Sequence, residues 1–291
     1  MKTTVSAAGR TRTLTVVGEP DGPSGRALVL VFHGSKQDGE THRRFIGGVF
    51  DRLAAEDRAV VAYLDGYRGN WNDARVASSF PARVENVDDV AFARATIDLL
   101  AESHGIDRSA VVAYGYSNGG QMVFHLLHEP DELIAGAVVV AATMPDRDGF
   151  LGAFSETSDR PVPVALIAGT ADTIVPFNGG RMAWWARALF KVDGTALSAP
   201  ATAEYFARRN GLTAAPAMLL APTGAGRRSG TQTEMTAYRE EGRAPVTLYT
   251  VRGGGHTVPG PKAAPFVLGR TGDTPTIDGV VSDMLEALKF A

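Results

Sequence analysis

The stretch Val111-Val112-Ala113-Tyr114-Gly115-Tyr116-Ser117-Asn118-Gly119-Gly120 decides how the rest of the chain is read. An apolar run with strand character enters Gly115, a serine follows, and Asn118 opens a helical stretch that extends to His128. A strand, a sharp turn and a helix together lift a serine hydroxyl clear of the backbone. Glycines flank the serine because side chains in so tight a turn collide. A helix starting at Asn118 aims its free N–H groups and the positive end of its dipole at any negative charge that develops nearby. Gly115–Gly119 fits G-x-S-x-G, a short pattern whose weight comes from this setting.

Outward from that turn, strand-sized apolar runs alternate with helical spacing. Arg26–Phe32 ends in His33-Gly34-Ser35, and Ala59–Leu64, Ala110–Tyr116, Ala135–Ala142, Val162–Ala168 and Val246–Val251 read as further strands. Helices are expected near Thr41–Glu56, from Asp88 and Asp89 to about Ser103, over Asn118–His128 and over Ile277–Phe290. This alternation predicts an α/β fold with a mainly parallel sheet and helices on both faces. Thr3–Ala7 and Thr11–Val17 flank Ala8-Gly9-Arg10 and predict an antiparallel hairpin at the start. Residues 183–232 break the rhythm with Trp184-Trp185, a helix near Ala199–Arg209 capped by Ser198, and a Gly/Ala/Pro/Arg-rich loop over Ala215–Gly230. They are expected to form an insertion or lid over the C-terminal edge of the sheet, within a single domain spanning 1–291.

Composition narrows the function. The 291 residues carry a net charge of −3, so no basic field exists to hold a nucleic-acid backbone. The chain has no cysteine, which excludes disulfides, iron–sulfur clusters, thiolate zinc sites and a cysteine nucleophile. Apolar runs such as Ala27–Phe32 are far short of a membrane span. The chain as it stands is expected to be cytoplasmic, or secreted if a presequence has been removed.

A serine hydroxyl is a poor nucleophile at neutral pH and needs a base. Among six histidines, His256 stands in Gly253-Gly254-Gly255-His256-Thr257-Val258-Pro259-Gly260, directly after the last strand. His125 and His128 lie on the helix beyond the turn and His42 and His104 in helical or surface settings; the i, i+3 pair His125/His128 lacks an evident third zinc ligand. An orienting carboxylate belongs between nucleophile and base in the chain, where Asp172 follows Val162–Ala168 and competes with Asp146, Asp148 and Asp159. The N–H groups of Asn118 and Ser35 are the candidate oxyanion donors, and His33 either holds its loop or joins the chemistry. Chemistry of this kind requires no metal and no organic cofactor.

Six stretches carry a resemblance: LVFHGS (30–35), LDGYRGNWNDAR (64–75), VDDVAFARATIDLL (87–100), GYSNGGQM (115–122), PVPVALIAGTADTIVPFNGG (161–180) and GGGHTVPG (253–260). Over residues 10–285 the chain resembles the polyhydroxybutyrate depolymerase and feruloyl esterase group of the α/β-hydrolases. The resemblance implies the α/β-hydrolase fold, catalytic Ser117, Asp172 and His256, and a place for Trp71-Asn72-Asp73 at the mouth of the site. The group often has histidine where Ala168 stands and tryptophan where Val258 stands, so the pocket wall differs while the triad is kept. With Trp71, Tyr116, Phe177 and Val258 as candidate substrate contacts, and Trp184 and Trp185 as either pocket or core, the expected partner is a small or medium soluble ester. Acyl transfer or peptide hydrolysis by the same triad, and ligand binding without catalysis, are the other uses open to this fold.

Overall fold

Leu28, Leu30 and Phe32 alternate with Val29 and Val31 along one strand, and all of them are fully buried. Alternate residues of a strand face opposite sides, so both faces of this one must be covered. The computed structural model, which describes residues 1–131, 133–220 and 230–288, shows what covers them. In chain order the elements are β1 (Lys2–Ala7), β2 (Arg10–Val17), β3 (Arg26–Phe32), α1 (Gly39–Phe45), α2 (Asp51–Ala55), β4 (Ala59–Leu64), α3 (Pro81–Val84), α4 (Asp89–His104), β5 (Ile106–Tyr116) and α5 (Asn118–Leu126). They continue with β6 (Gly136–Val140), β7 (Val164–Gly169), β8 (Gly180–Arg181), α6 (Trp184–Phe190), β9 (Thr195–Ala196), α7 (Ala199–Arg209), β10 (Ala217–Leu220), β11 (Gln232–Tyr238), β12 (Val246–Arg252) and α8 (Ile277–Leu288).

The ten-stranded sheet runs β1-β2-β4-β3-β5-β6-β7-β12-β11-β10. The strands from β4 through β3, β5, β6 and β7 to β12 are parallel. The hairpin β1–β2 joins antiparallel at one end, and β11 and β10 extend the other end antiparallel. Strand order and covered faces are those of the α/β-hydrolase fold. Phe92 of α4, Met122 and Phe124 of α5, and Tyr205 and Phe206 of α7 pack on the face that carries Leu28, Leu30 and Phe32. Phe50, Leu53, Val280, Val281 and Met284 pack on the face of Val29 and Val31. Each such side chain, fully buried, contributes about 1.5–3 kcal/mol.

Two expectations are corrected, for the helix near Thr41–Glu56 and for the loop Ala215–Gly230. The single helix near Thr41–Glu56 is two, because Gly47 (φ 76°) and Gly48 (φ 64°) adopt left-handed backbone between α1 and α2. Within 183–232, α7 packs on β12 and β7 with Thr202, Ala203, Tyr205 and Phe206 buried, as part of the core. β10 occupies the first part of the expected loop Ala215–Gly230, and 221–229 lie outside the described residues, as do 289–291 beyond α8. β11 gives a weak sequence signal because only Thr233 and Ala237 of its seven residues are buried.

Both aspartates expected at the start of α4 are there, with different tasks. Asp88 caps the helix, accepting the Ala91 N–H at 2.7 Å. Asp89 turns inward, pairs with Arg12 at 2.7 Å and accepts the Asn72 N–H at 2.7 Å. That buried pair ties the hairpin strand β2 to the 70–75 loop.

Candidate active site

Four parallel strands end at one edge of the sheet, and the loops leaving β3, β5, β7 and β12 bring Ser35, Ser117, Asp172 and His256 there. Ser117 itself has φ 54° and ψ −113°, a conformation that costs a non-glycine residue about 1–3 kcal/mol. Its N–H donates to Val140 O at 2.9 Å, and its carbonyl accepts the Gln121 N–H at 3.1 Å, which starts α5 immediately beyond the turn. A Cβ on Gly119 would collide with the carbonyl oxygen of Phe32, so glycine lets α5 close over the end of β3.

Ser117 Oγ lies 2.9 Å from His256 Nε2, and His256 Nδ1 lies 2.7 Å from Asp172 Oδ2. Asp172 Oδ1 accepts the N–H groups of Ile174 and Val175, each at 2.8 Å. That leaves Oδ2 for the imidazole, so Nδ1 carries the proton and Nε2 is free to accept from the serine hydroxyl. The His256 backbone is also held: its N–H donates to Leu268 O at 2.7 Å and its carbonyl accepts the Tyr116 hydroxyl at 2.8 Å. The His256 and Asp172 side chains are 5% and 2% exposed, so little water competes for these bonds.

Ser35 and Asn118 line the same cavity as Ser117. Among the described residues neither backbone N–H of this pair has a protein acceptor. Asn118 is locked through its side chain, with Oδ1 accepting the Trp71 N–H at 3.0 Å and Nδ2 donating to Asp73 Oδ2 at 2.5 Å. Asp73 in turn is fully buried and pairs through both oxygens with Arg75, Oδ1 accepting Arg75 Nε at 3.2 Å and Oδ2 accepting Nη2.

His33 lies outside the triad and holds its own loop. Its Nδ1 donates to Gly34 O at 2.7 Å, its Nε2 accepts the Gly66 N–H at 2.9 Å, and its carbonyl accepts the Trp71 indole N–H at 2.9 Å. Burial pushes its pKa down to about 4, so the ring is neutral at pH 7. His42, expected in a helical or surface setting, lies on α1 but is fully buried, with its ring centroid 5.6 Å from that of Tyr116. His125 and His128 are engaged as well. The first donates from Nδ1 to Asn72 O at 3.2 Å, and the second donates from Nδ1 to Phe124 O at 2.7 Å with Nε2 2.6 Å from the Tyr205 hydroxyl.

The cavity beside Ser117 encloses about 330 Å³ including its open mouth, and Arg75, Phe80, Gln121, Met182, Phe190 and Val192 form much of its wall. None of the four expected substrate contacts lines it. Trp71 is fully buried against Phe32 and His33. Tyr116 faces the opposite side of the sheet, packed on His42 and Phe45, and Val258 is buried in that same cluster. Phe177 is half-buried against the other core. Trp184 and Trp185 are not core, being 76% and 39% exposed. Aromatic size drew attention to these residues, whereas the wall comes from loops whose placement depends on tertiary structure. Gln121 had a readable signal: four residues after Ser117, it lies one helical turn up the same face.

A phospholipase/carboxylesterase family model matches residues 83–190. "Putative esterase NocK" of Nocardia uniformis subsp. tsuyamanensis is 33% identical over 272 residues, covering 88% of this chain and 73% of that protein. Feruloyl esterase B of Piromyces equi is 27% identical over 210 residues, 70% of this chain and 35% of that protein, so the match spans about a third of that relative. Among solved structures, the acetyl xylan esterase from Aspergillus awamori superposes with a TM-score of 0.59 over 89% of this chain and 94% of that one, at 14% identity, a likeness of fold alone. With a buried Ser–His–Asp hydrogen-bond chain at the end of a hydrolase sheet, the protein is a serine hydrolase, and the chain belongs to the esterase family of α/β-hydrolases that NocK represents.

Proposed function

We propose that the protein hydrolyses carboxylic esters with Ser117 as nucleophile, His256 as general base and acid, and Asp172 as the anion that orients His256. The observation that carries this reading is the continuous hydrogen-bond chain from Ser117 Oγ through the imidazole to a carboxylate already fixed by two backbone N–H groups. Oγ attacks the ester carbonyl as its proton passes to Nε2. The tetrahedral oxyanion rests on the N–H groups of Asn118 and Ser35, each contributing roughly 3–4 kcal/mol where such donors have been removed. His256 then gives its proton to the leaving alcohol, and the acyl-enzyme forms. A water deprotonated by the same ring releases the acid and restores Ser117.

The substrate is a small or medium soluble ester, either hydroxycinnamoyl or short-chain hydroxyacyl. The likeness to feruloyl esterase B and the resemblance to polyhydroxybutyrate depolymerases support this class. The chain acts as one domain, and the β8–β9 ribbon with α6 covers the pocket through Met182, Phe190 and Val192.

The test is Ser117→Ala assayed on p-nitrophenyl butanoate. Loss of at least about 10³-fold in kcat with an unchanged thermal melt is expected. Turnover at the wild-type rate overturns the reading.

A further inference from the structure

Among the described residues, Arg75 is the one charged side chain that lines the cavity of Ser117. Around it Phe80, Ile174, Val175, Met182 and Phe190 bring apolar surface. A cation set in such a wall gives up hydration, and only a partner restores what is lost.

Arg75 is held from one edge. Its Nε and Nη2 donate to the Asp73 carboxylate, and its Nη1 has no protein acceptor among the described residues. Nη1 is not sealed off: Arg75 contributes none of the buried polar atoms that lack a partner, and its side chain is 15% exposed. The Phe80 ring centroid lies 5.7 Å from the guanidinium carbon, and Phe80 borders the same cavity. Asp73 Oδ2 accepts from both Arg75 Nη2 and Asn118 Nδ2. A single carboxylate oxygen therefore joins the guanidinium to the residue that follows the nucleophile.

Charge at this wall does not balance. Asp73 answers Arg75, but Arg83 adds a second cation whose Nη2 donates to the backbone carbonyls of Asp73 at 2.5 Å and Arg75 at 2.7 Å. Two guanidinium groups share one carboxylate, although the chain as a whole carries −3. Asp172 does not make up the difference: its side chain is 2% exposed and its oxygens are used by His256, Ile174 and Val175.

We propose that Arg75 determines specificity by holding a free carboxylate of the ester substrate beside Ser117. This rests on the reading of Ser117 as the nucleophile and narrows the substrate to an anionic ester. Such an ester is a half-ester of a dicarboxylic acid, or an ester of a hydroxy acid whose own carboxyl group is free. A guanidinium only donates, and its charge strengthens the bond to an ionised acceptor. One free edge and one unbalanced charge match a monoanion. An ammonium group is repelled, and a neutral amide gains a hydrogen bond without the charge. Because Asp73 already fixes the group, little side-chain freedom is lost when the carboxylate docks.

The carboxylate belongs to the acyl part or to the alcohol part, and two substrate pairs of matched shape separate these. The acyl arm compares monoethyl succinate with ethyl succinamate, its neutral amide. The alcohol arm compares 3-acetoxypropanoate with 3-acetoxypropanamide. In one arm the wild type at neutral pH is expected to prefer the anionic ester by about tenfold or more in kcat/KM. The double variant Arg75→Met/Asp73→Asn removes one charge of each sign and is expected to bring that ratio close to one. Arg75→Lys keeps the charge without the planar fork and is expected to give a ratio between the two.

Turnover of the neutral amides and labelling of Ser117 by a fluorophosphonate report whether the nucleophile is assembled in each variant, a readout that Arg75 as a purely structural residue would move equally for both members of a pair. No anionic preference of the wild type in either arm overturns the proposal, as does a preference that survives in the double variant. If the double variant does not label, Arg75→Lys decides, and a ratio equal to that of the wild type overturns the proposal. Failure of the wild type to label at Ser117 strikes the nucleophile reading instead.

Discussion

His256 and Asp172 stand on one side of Ser117; Arg75, Gln121 and Thr143 stand on the other, and the two sides are finished to different degrees. On the first side Nδ1, Nε2, Oδ1 and Oδ2 all have partners within 2.9 Å. On the second, Gln121 Oε1 and Thr143 Oγ1 have no partner among the described residues. A side that moves a proton gains from being fully set before substrate arrives, because nothing has to reorganise during the reaction. Substitutions in the two groups are therefore expected to read out differently.

The largest expected effect is on the finished side. Asp172→Asn keeps the shape but offers Nδ1 an amide that favours the wrong tautomer. A fall of roughly 10⁴-fold in kcat, with KM little changed, is expected for a plain p-nitrophenyl ester. A loss under tenfold breaks the comparison, because the carboxylate would then be dispensable for the proton transfer.

Next in size is a stability effect at the root of the open side. Arg75 is the only cation paired with the fully buried Asp73 among the described residues, and Asp73 also holds Asn118. Arg75→Met removes the countercharge and leaves a buried carboxylate, which costs about 3–5 kcal/mol. Urea unfolding of wild type and variant measures it. In the double variant Arg75→Met/Asp73→Asn most of that loss is expected to return, because no unpaired charge is left. An unchanged midpoint in the single variant means that Arg75 serves substrate alone and has no part in building the wall.

The finished side was the legible one, for a physical reason. Strands buried on both faces read as continuous apolar runs, so β3, β4, β5, β6, β7 and β12 stand out, and function collects where such strands end. Ser117, Asp172 and His256 each follow one of those runs, next to glycines or in a short turn. On the open side only Gln121, one helical turn after Ser117, has such a signal. Asp73 meets Asn118 across 45 residues, and α6 delivers Phe190 from a segment with little core of its own. Size misled as well: Trp71 looked like a pocket wall, whereas its indole N–H is spent on the His33 carbonyl inside the core. β11, lying next to the sheet's far edge with polar residues on much of its length, gave no apolar run to find.

A pH titration of stability sharpens the comparison with the smallest effect for a single side chain, that of one buried ring. His42 packs on Tyr116, His33 packs on Trp71, and His128 lies just beyond the end of α5. Burial lowers their pKa values to about 4, about 3 and about 4. In the unfolded chain each ring titrates near 6.5, so below that pH the unfolded state takes up protons that the folded state refuses. Stability is therefore full above about pH 6.5, falls as the pH drops, and stops falling through these groups below their folded values. The gap for a ring at about 4 corresponds to about 3 kcal/mol. Thermal melts from pH 7.5 to 4.5 are expected to show a steady loss, and His128→Gln is expected to make it shallower by about a third. A flat profile in the wild type means that the rings accept protons inside the fold. The packing of His42 on Tyr116, and through Tyr116 on the His256 carbonyl, would then be looser than the finished side requires.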